Sequence, residues 1–406
     1  MTTDMWSSPA KAETAIEELR RGTPPAGQLR QFTVGRSDEL HHLADTLSRP
    51  QDGRGEALLV EANYGAGKTH LLRLIREEAL DRGFAVALVT VDSQSAVRFN
   101  RMDQVTAAVI RQLEVDEWSS RGIGGLFDSF MQIDAQSLLG SDNERWTMLQ
   151  NITDVGRWSR SSGLGSQALF VGLRAWVHGD HPQVREMVTD WLGNSWNYKS
   201  SRSDLYATLV GRVSGFRDSR SEKSYYTDSV FSFDSGGHHQ AWSALADLDL
   251  LCRACGRRGL VILFDEFEDV IQNLNNIGYE QSAFDNLFRL FDGRDHPGTC
   301  YFAVTPDFSN KCRSRLYEKA IYSFPVERFD ELERFRMTRI TADDVQLLAT
   351  RIRDVHGIAY EWDAAAELAD LELRRVVDSV MATGSADQIR QAVIGIVKTL
   401  DERLES

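Results

Sequence analysis

Residues 65–69 read Gly-Ala-Gly-Lys-Thr and residues 265–266 read Asp-Glu, and each group ends an apolar run of strand length. These residue types do complementary chemistry on a phosphate chain. A glycine loop between a strand and a helix turns backbone N–H groups and a helix N-terminus toward an anion. Lys68 would reach the outer phosphates, and the Thr69 hydroxyl would ligate magnesium. Asp265 would hold the metal through its waters, and Glu266 would polarise an attacking water. Asn63, Tyr64, Gly65, Ala66, Gly67 and His70 complete the loop and the start of its helix. The loop departs from G-x-x-x-x-G-K-[ST] at one position, where Ala62 stands for the first glycine. That exchange is tolerated if its φ is negative, since only a left-handed turn demands glycine. A plain glycine turn before an ordinary helix is the alternative; the strand–loop–helix context and the downstream acid pair argue against it.

Several elements must position these groups. Glu56–Ala62 supplies the strand, and Leu71, Leu72, Leu74 and Ile75 recur at helical spacing behind the loop. Phe84–Asp92, Leu260–Glu266 and Thr299–Thr305 are near-continuous apolar runs, as expected of a parallel sheet covered on both faces. With a helix over Met102–Leu113, strand and helix alternate as in an α/β fold. Thr305 ends its strand before Pro306, where it could orient the attacking water or the γ-phosphate, or simply cap the turn. About 30 residues before the loop, the Val34-Gly35-Arg36 turn is placed to border an adenine. Ser37 or Asp38 would cap the helix that follows. Arg313 and Arg315 sit on an expected helix, from which one could reach a neighbouring subunit's nucleotide as a finger, or could be an ordinary surface arginine.

The remaining text sets the organisation: an N-terminal helical segment over 1–30, a first core part over 31–115, a mostly helical insertion over 116–245, a second core part over 246–340, and four C-terminal helices over 341–406. A last strand is expected over Phe335–Ile340, and Thr341 to Asp344 reads as a capped helix start. Within the insertion Trp118, Trp146, Trp158, Trp176, Trp191 and Trp196, with Trp242 just inside its end, read as core residues in preference to a base-stacking platform. Arg212, Arg217, Arg220 and Lys223 read as a solvated loop, with contact to a phosphate backbone as the alternative. The 406 residues carry 46 basic and 60 acidic side chains, a net charge of −14, which disfavours non-specific DNA binding by the isolated chain. Hydrophobic content of 42% with 26% charged residues describes a soluble protein. No run approaches the roughly 20 apolar residues that span a bilayer. The N-terminus has no basic head or apolar core that would direct export, so a cytoplasmic protein is expected. Cys252 and Cys255 form a C-x-x-C that invites a zinc or redox reading, but with Cys300 and Cys312 they fit small core residues in a reducing compartment.

A phosphate loop, an Asp-Glu strand, a polar strand tip and a small helical C-terminal domain, in that order, resemble the AAA+ ATPases. More narrowly, the chain resembles the ATP-binding proteins of BREX bacteriophage-exclusion systems, the smaller type in particular. Residues 15–22, 64–72, 259–268 and 335–344 carry that likeness. The resemblance implies an α/β P-loop NTPase (AAA+) core of parallel sheet, with a helical insertion and an all-helical C-terminal lid. It implies ATP and Mg2+ as ligands and the other proteins of a defence complex as partners, with DNA contact within the complex and a homo-oligomer also in view, and no membrane. AAA+ lids carry a sensor arginine a few residues after a glycine. Here the first arginine after Gly384 is Arg390. Three roles follow: a hydrolysing switch or motor, an ATP-locked adaptor that docks a helicase, methyltransferase or nuclease, or a DNA-loading ATPase resembling origin-recognition proteins. The third is weakened because little chain follows the lid.

Overall fold

The computed structural model describes residues 8–25, 27–49, 53–63, 66–91, 97–116, 119–133, 152, 164–179, 181–194, 199–216, 220–232, 239–268, 277–384 and 387–406. Six strands form one sheet: β1 (Glu56–Glu61), β2 (Ala85–Thr90), β3 (Leu113–Glu114), β4 (Leu260–Asp265), β5 (Thr299–Val304) and β6 (Glu333–Arg336). Their spatial order is β3-β2-β4-β5-β1-β6. β2 runs parallel to β4 with Ala85 opposite Leu260 and Thr90 opposite Asp265, and β4 runs parallel to β5. The two-residue β3 is antiparallel to β2. Every residue of β4 and β5 is buried, which is what continuous apolar runs in a doubly covered sheet require.

The chain divides into two compact units, one of Met1–Ser48, Val60–Glu77 and Phe335–Ser406, the other of Arg49–Leu59 and Glu78–Arg334. In the second unit the helices Met102–Gln112, Ile123–Met131, Gln167–His178, Pro182–Asn194 and His239–Ala254 contribute to one apolar core with the strands. Trp176, Trp191 and Trp242 are all buried there. Trp191 donates its indole N–H to the Phe231 carbonyl at 3.1 Å, and Trp176 donates to Asp128 at 2.8 Å. These three are core residues, as their setting in helical text suggested; Trp118, Trp146, Trp158 and Trp196 lie outside the described residues. Arg212 ends the helix Lys199–Arg212, and Arg220 and Lys223 lie on the helix Arg220–Tyr225; Arg217 is outside the described residues. The expected loop is therefore partly helical.

In the first unit the helix Pro9–Arg20 begins with proline at its first position, where the missing N–H costs nothing. Its Ala12, Ala15, Ile16 and Leu19 share a core with Val345, Ile352, Leu373, Ile396 and Leu400 of the C-terminal helices Ala342–Ala359, Asp370–Met381 and Gln388–Leu404. Arg20 forks onto Asp401 at 2.9 and 2.8 Å. The buried His356 completes that cluster. The Trp362 indole can only donate, so His356 Nδ1 accepts at 2.9 Å and Nε2–H donates to Asp401 at 3.0 Å. A short helix, Ala364–Glu367, joins the longer ones.

Two boundaries differ from expectation. The last strand covers Glu333–Arg336, not Phe335–Ile340, because the Thr338 N–H goes to the Glu39 carboxylate at 2.8 Å and leaves the ladder. The helix from Met102 stops at Gln112, and Leu113 joins the sheet opposite Ala87. The helix start at Thr341 is a full capping box, with Asp344 at the third position as read. Gly35 packs against that box: its φ is +62°, and an added Cβ would lie 2.8 Å from the Asp344 carboxyl. Gly35→Ala is therefore expected to lower the thermal midpoint, by strain of about 1–3 kcal/mol, measurable by circular dichroism.

Candidate functional site

The loop after β1 shows the features a phosphate cradle needs. Gly67 has φ +92°, and an added Cβ would meet nothing closer than 3.9 Å, so backbone conformation and not space demands glycine there. Ala62 is not among the non-glycine residues with positive φ, so alanine at the first loop position is unstrained. The Ala66 N–H turns back onto the Asn63 carbonyl at 3.2 Å, and Lys68 opens the helix Lys68–Asp81. The Lys68 ammonium donates to the Ala62 carbonyl at 3.1 Å, folded across the loop it would serve. Thr69 is exposed in the first helical turn, where backbone N–H groups lack helical acceptors. Tyr64 and Gly65 lie outside the described residues.

His70 faces Thr33, with Nε2 2.9 Å from the hydroxyl oxygen. That hydroxyl spends its single proton on the Leu29 carbonyl at 2.7 Å, so the imidazole must donate. Burial, with Arg36 and Arg73 adding to it, lowers the His70 pKa to about 4, and the ring is neutral at physiological pH.

The Val34-Gly35-Arg36 turn is tied to the loop. Val34 is buried in the core of the first unit. Arg36 is 4% exposed and donates to the Glu39 carboxylate at 2.9 Å, to the Ala66 carbonyl at 2.9 Å and to the Thr338 carbonyl. Its guanidinium thus bonds to the loop, to Glu39 and to Thr338. Arg390 is exposed, packs against Gly22 and points a guanidinium nitrogen at the Arg21 carbonyl, 3.4 Å away.

In the second unit, Asp265 closes β4 and is 6% exposed. Its carboxylate accepts the Glu266 N–H at 3.0 Å. Glu266 is exposed with φ +55°, a left-handed conformation that carboxylate residues other than Asp seldom adopt. Phe267 imposes it: fully buried, with its N–H on the Ala303 carbonyl at 3.3 Å, it packs edge-on to Phe99 and Phe302. The chain must turn within one residue, and that residue is Glu266. The Thr305 hydroxyl is shielded from solvent just past β5. It neighbours Asp307, whose carboxyl is held below its usual range by Lys311 and then by Thr305. The Thr305 carbonyl also accepts the first N–H of the helix Phe308–Glu318, at 3.0 Å.

Both finger candidates are engaged within the chain. Arg315 donates to the buried Glu280 at 2.6 Å, and Arg313 pairs with Asp330 at 2.7 Å. Cys252, Cys300 and Cys312 are buried, and burial pushes their thiols up. Among the described residues no group of three or more His, Cys, Asp or Glu is arranged to hold a metal. Sequence reading missed Thr33, Glu39 and Thr338. Only Glu39 left a signal, as a carboxylate one helical turn from Arg36.

Within the first unit, then, the structure brings together Lys68, Ala62, Ala66, His70 and Arg36; within the second it sets Asp265 and Glu266 side by side. Against known proteins, the chain falls in a class of ATP-binding proteins. A family model described as BREX system ATP-binding protein BrxC/D matches residues 8–154 and 236–403, and the chain belongs to that family. No curated protein and no solved structure matches the chain. Among the described residues no helix is long and apolar enough to cross a membrane.

The His70 environment has a pH consequence. Its folded pKa lies below the ordinary 6.5, so the unfolded chain takes up a proton that the folded chain refuses. Stability is therefore lost as pH falls from about 6.5 toward 4. In His70→Gln, which can still donate to Thr33, unfolding midpoints measured across that range should fall less steeply. A slope equal to wild type would exclude His70 as the titrating group.

Proposed function

We propose that the chain binds ATP with magnesium and hydrolyses it, as a AAA+ switch or motor in a bacterial anti-phage defence complex. The observation that carries this reading is the Asp265–Glu266 pair. One carboxylate is buried at a strand end, and the next is thrust outward in a strained backbone conformation. Such strain persists where the surrounding structure over-determines it, and it clusters at functional sites. On this reading Lys68 and the N–H groups of residues 65–69 hold the phosphates, and Glu266 orients and deprotonates the attacking water. Thr305 steadies that water or the γ-phosphate, and Arg390 would approach the nucleotide from the C-terminal helices. Asn63, Tyr64 and His70 border the phosphates, and Val34 and Gly35 the base side.

The oxygen donors of Thr69 and Asp265 suit magnesium, a hard cation that keeps several waters. When bound, the ion would neutralise charge developing on the phosphate oxygens. Membership of the ATP-binding family supports the nucleotide, and the sheet order β4-β5-β1 supports a AAA+ core with Thr305 just past the end of the strand between.

One observation favours a second reading, an ATP-locked adaptor. Arg313 and Arg315 are both committed to carboxylates of their own chain, so neither is presented to a neighbour.

Equilibrium binding and single-turnover hydrolysis separate the readings. Lys68→Ala should lose ATP binding. Glu266→Gln should keep binding while turnover falls about 100-fold or more, the usual worth of a general base. Equal, slow turnover in wild type and Glu266→Gln would establish the adaptor. Glu266→Gly should be as inactive yet no less stable than wild type, because relief of about 1–2 kcal/mol of left-handed strain offsets the greater chain entropy of glycine.

A further inference from the structure

A loop that turns its N–H groups inward on an anion must turn carbonyls outward, and those carbonyls need partners of their own. The Ala66 carbonyl, two residues before Lys68, finds one in Arg36 at 2.9 Å. The same guanidinium donates to the Thr338 carbonyl. Thr338 belongs to the stretch between β6 and the helix Ala342–Ala359. Glu39 closes the arrangement: its Oε1 accepts from Arg36 at 2.9 Å, from the Thr338 N–H at 2.8 Å and from the Thr338 hydroxyl at 3.0 Å. Arg36 and Glu39 are each 4% exposed, so water does not compete for these bonds. Next to Thr338, the Met337 N–H is tied to the Glu61 carbonyl at the end of β1, 3.1 Å away. The stretch leading to the C-terminal helices is thus anchored to the end of β1 through Met337 and to Glu39 and Arg36 through Thr338.

We propose that Arg36 and Glu39 are positioning residues that hold the Ala66 carbonyl outward and tie the shape of the phosphate loop to the stretch that leads into the C-terminal helices. Closing of the loop on phosphates shifts the Ala66 peptide, and through Arg36 that shift reaches Thr338 and the capping box beyond it. The inference rests on the reading of the loop as an ATP site. It gives the Val34-Gly35-Arg36 turn a role distinct from base recognition.

Removing Arg36 alone would strand Glu39 as a buried unpaired charge, so the test replaces both. Exchanging a buried ion pair for apolar residues of similar volume is commonly neutral for stability. The full chain is prepared as wild type, Arg36→Met/Glu39→Leu and Arg36→Lys. ATP affinity is measured with magnesium, and amide hydrogen exchange of residues 338–359 is followed with and without ATP. In wild type, ATP should slow exchange there. The double variant should keep its circular dichroism and remain folded at the assay temperature, with a melting temperature lowered by the backbone groups of Ala66 and Thr338 left without partners. It should bind ATP about tenfold or more weakly, the worth of a charge-assisted hydrogen bond, and show no ATP-dependent slowing even at saturation. Arg36→Lys should recover part of the affinity, because one ammonium cannot span both carbonyls as the planar fork does. A folded double variant with wild-type affinity and wild-type slowing overturns the coupling alone. Absence of ATP binding by the wild type overturns the nucleotide reading and the coupling together.

Discussion

A parallel sheet must be covered on both faces, and most of the second unit follows from that requirement. β4 and β5 are apolar throughout and wholly buried, so neither can carry a functional side chain in its interior. Polar side chains are displaced to the strand ends, where Asp265, Glu266 and Thr305 stand. The helical middle of the chain contributes to the cover: Trp191, Leu205 and Trp242 belong to the same core as Ile262 and Phe302. Phe267 then serves two purposes. It seals the sheet end against Phe99, Phe302 and Phe308, and by fixing its own peptide it forces Glu266 outward.

The first unit is held differently, by polar groups buried in an apolar frame. Helix Pro9–Arg20 is a full member of the C-terminal helical core, and Arg20, Asp401 and His356 lock it in place. Burial alone would raise the Asp401 carboxyl, but the bonds from Arg20 and His356 outweigh it and hold the group below its usual range. Partly buried pairs of this kind add little net stability over apolar packing, but they penalise any alternative arrangement that leaves one partner unmatched. Arg36 with Glu39 does this beside the glycine loop, whose Ala66 carbonyl Arg36 holds.

Much of this was legible along the chain. The strand and helix on either side of the glycine loop, the acid-ended strand, the buried strands and the capping box at Thr341 are local patterns, written in contiguous residues by periodicity and turn chemistry. Errors arose where a distant group competed for a backbone bond. Phe335–Ile340 has the composition of a strand, but Glu39 takes the Thr338 N–H and the strand ends early. Arg36 beside a glycine suggested a ligand contact; the structure shows it bonded to Glu39, Ala66 and Thr338, which no local pattern announced. Arg313 and Arg315 looked available because Asp330 and Glu280 are not their sequence neighbours in any helical register.

By itself, the sequence determined the residue types that can hold phosphate and metal, and the strands and helices that carry them, because both depend on interactions within a few residues. It also determined the family, through motifs spread over both ends of the chain. Only the tertiary structure decided which polar side chains remain committed to the protein, that His70 is neutral, that the first helix belongs with the last, and that Glu266 is strained. Those outcomes depend on burial and on partners up to several hundred residues away, and no local pattern encodes which donor reaches a given acceptor first.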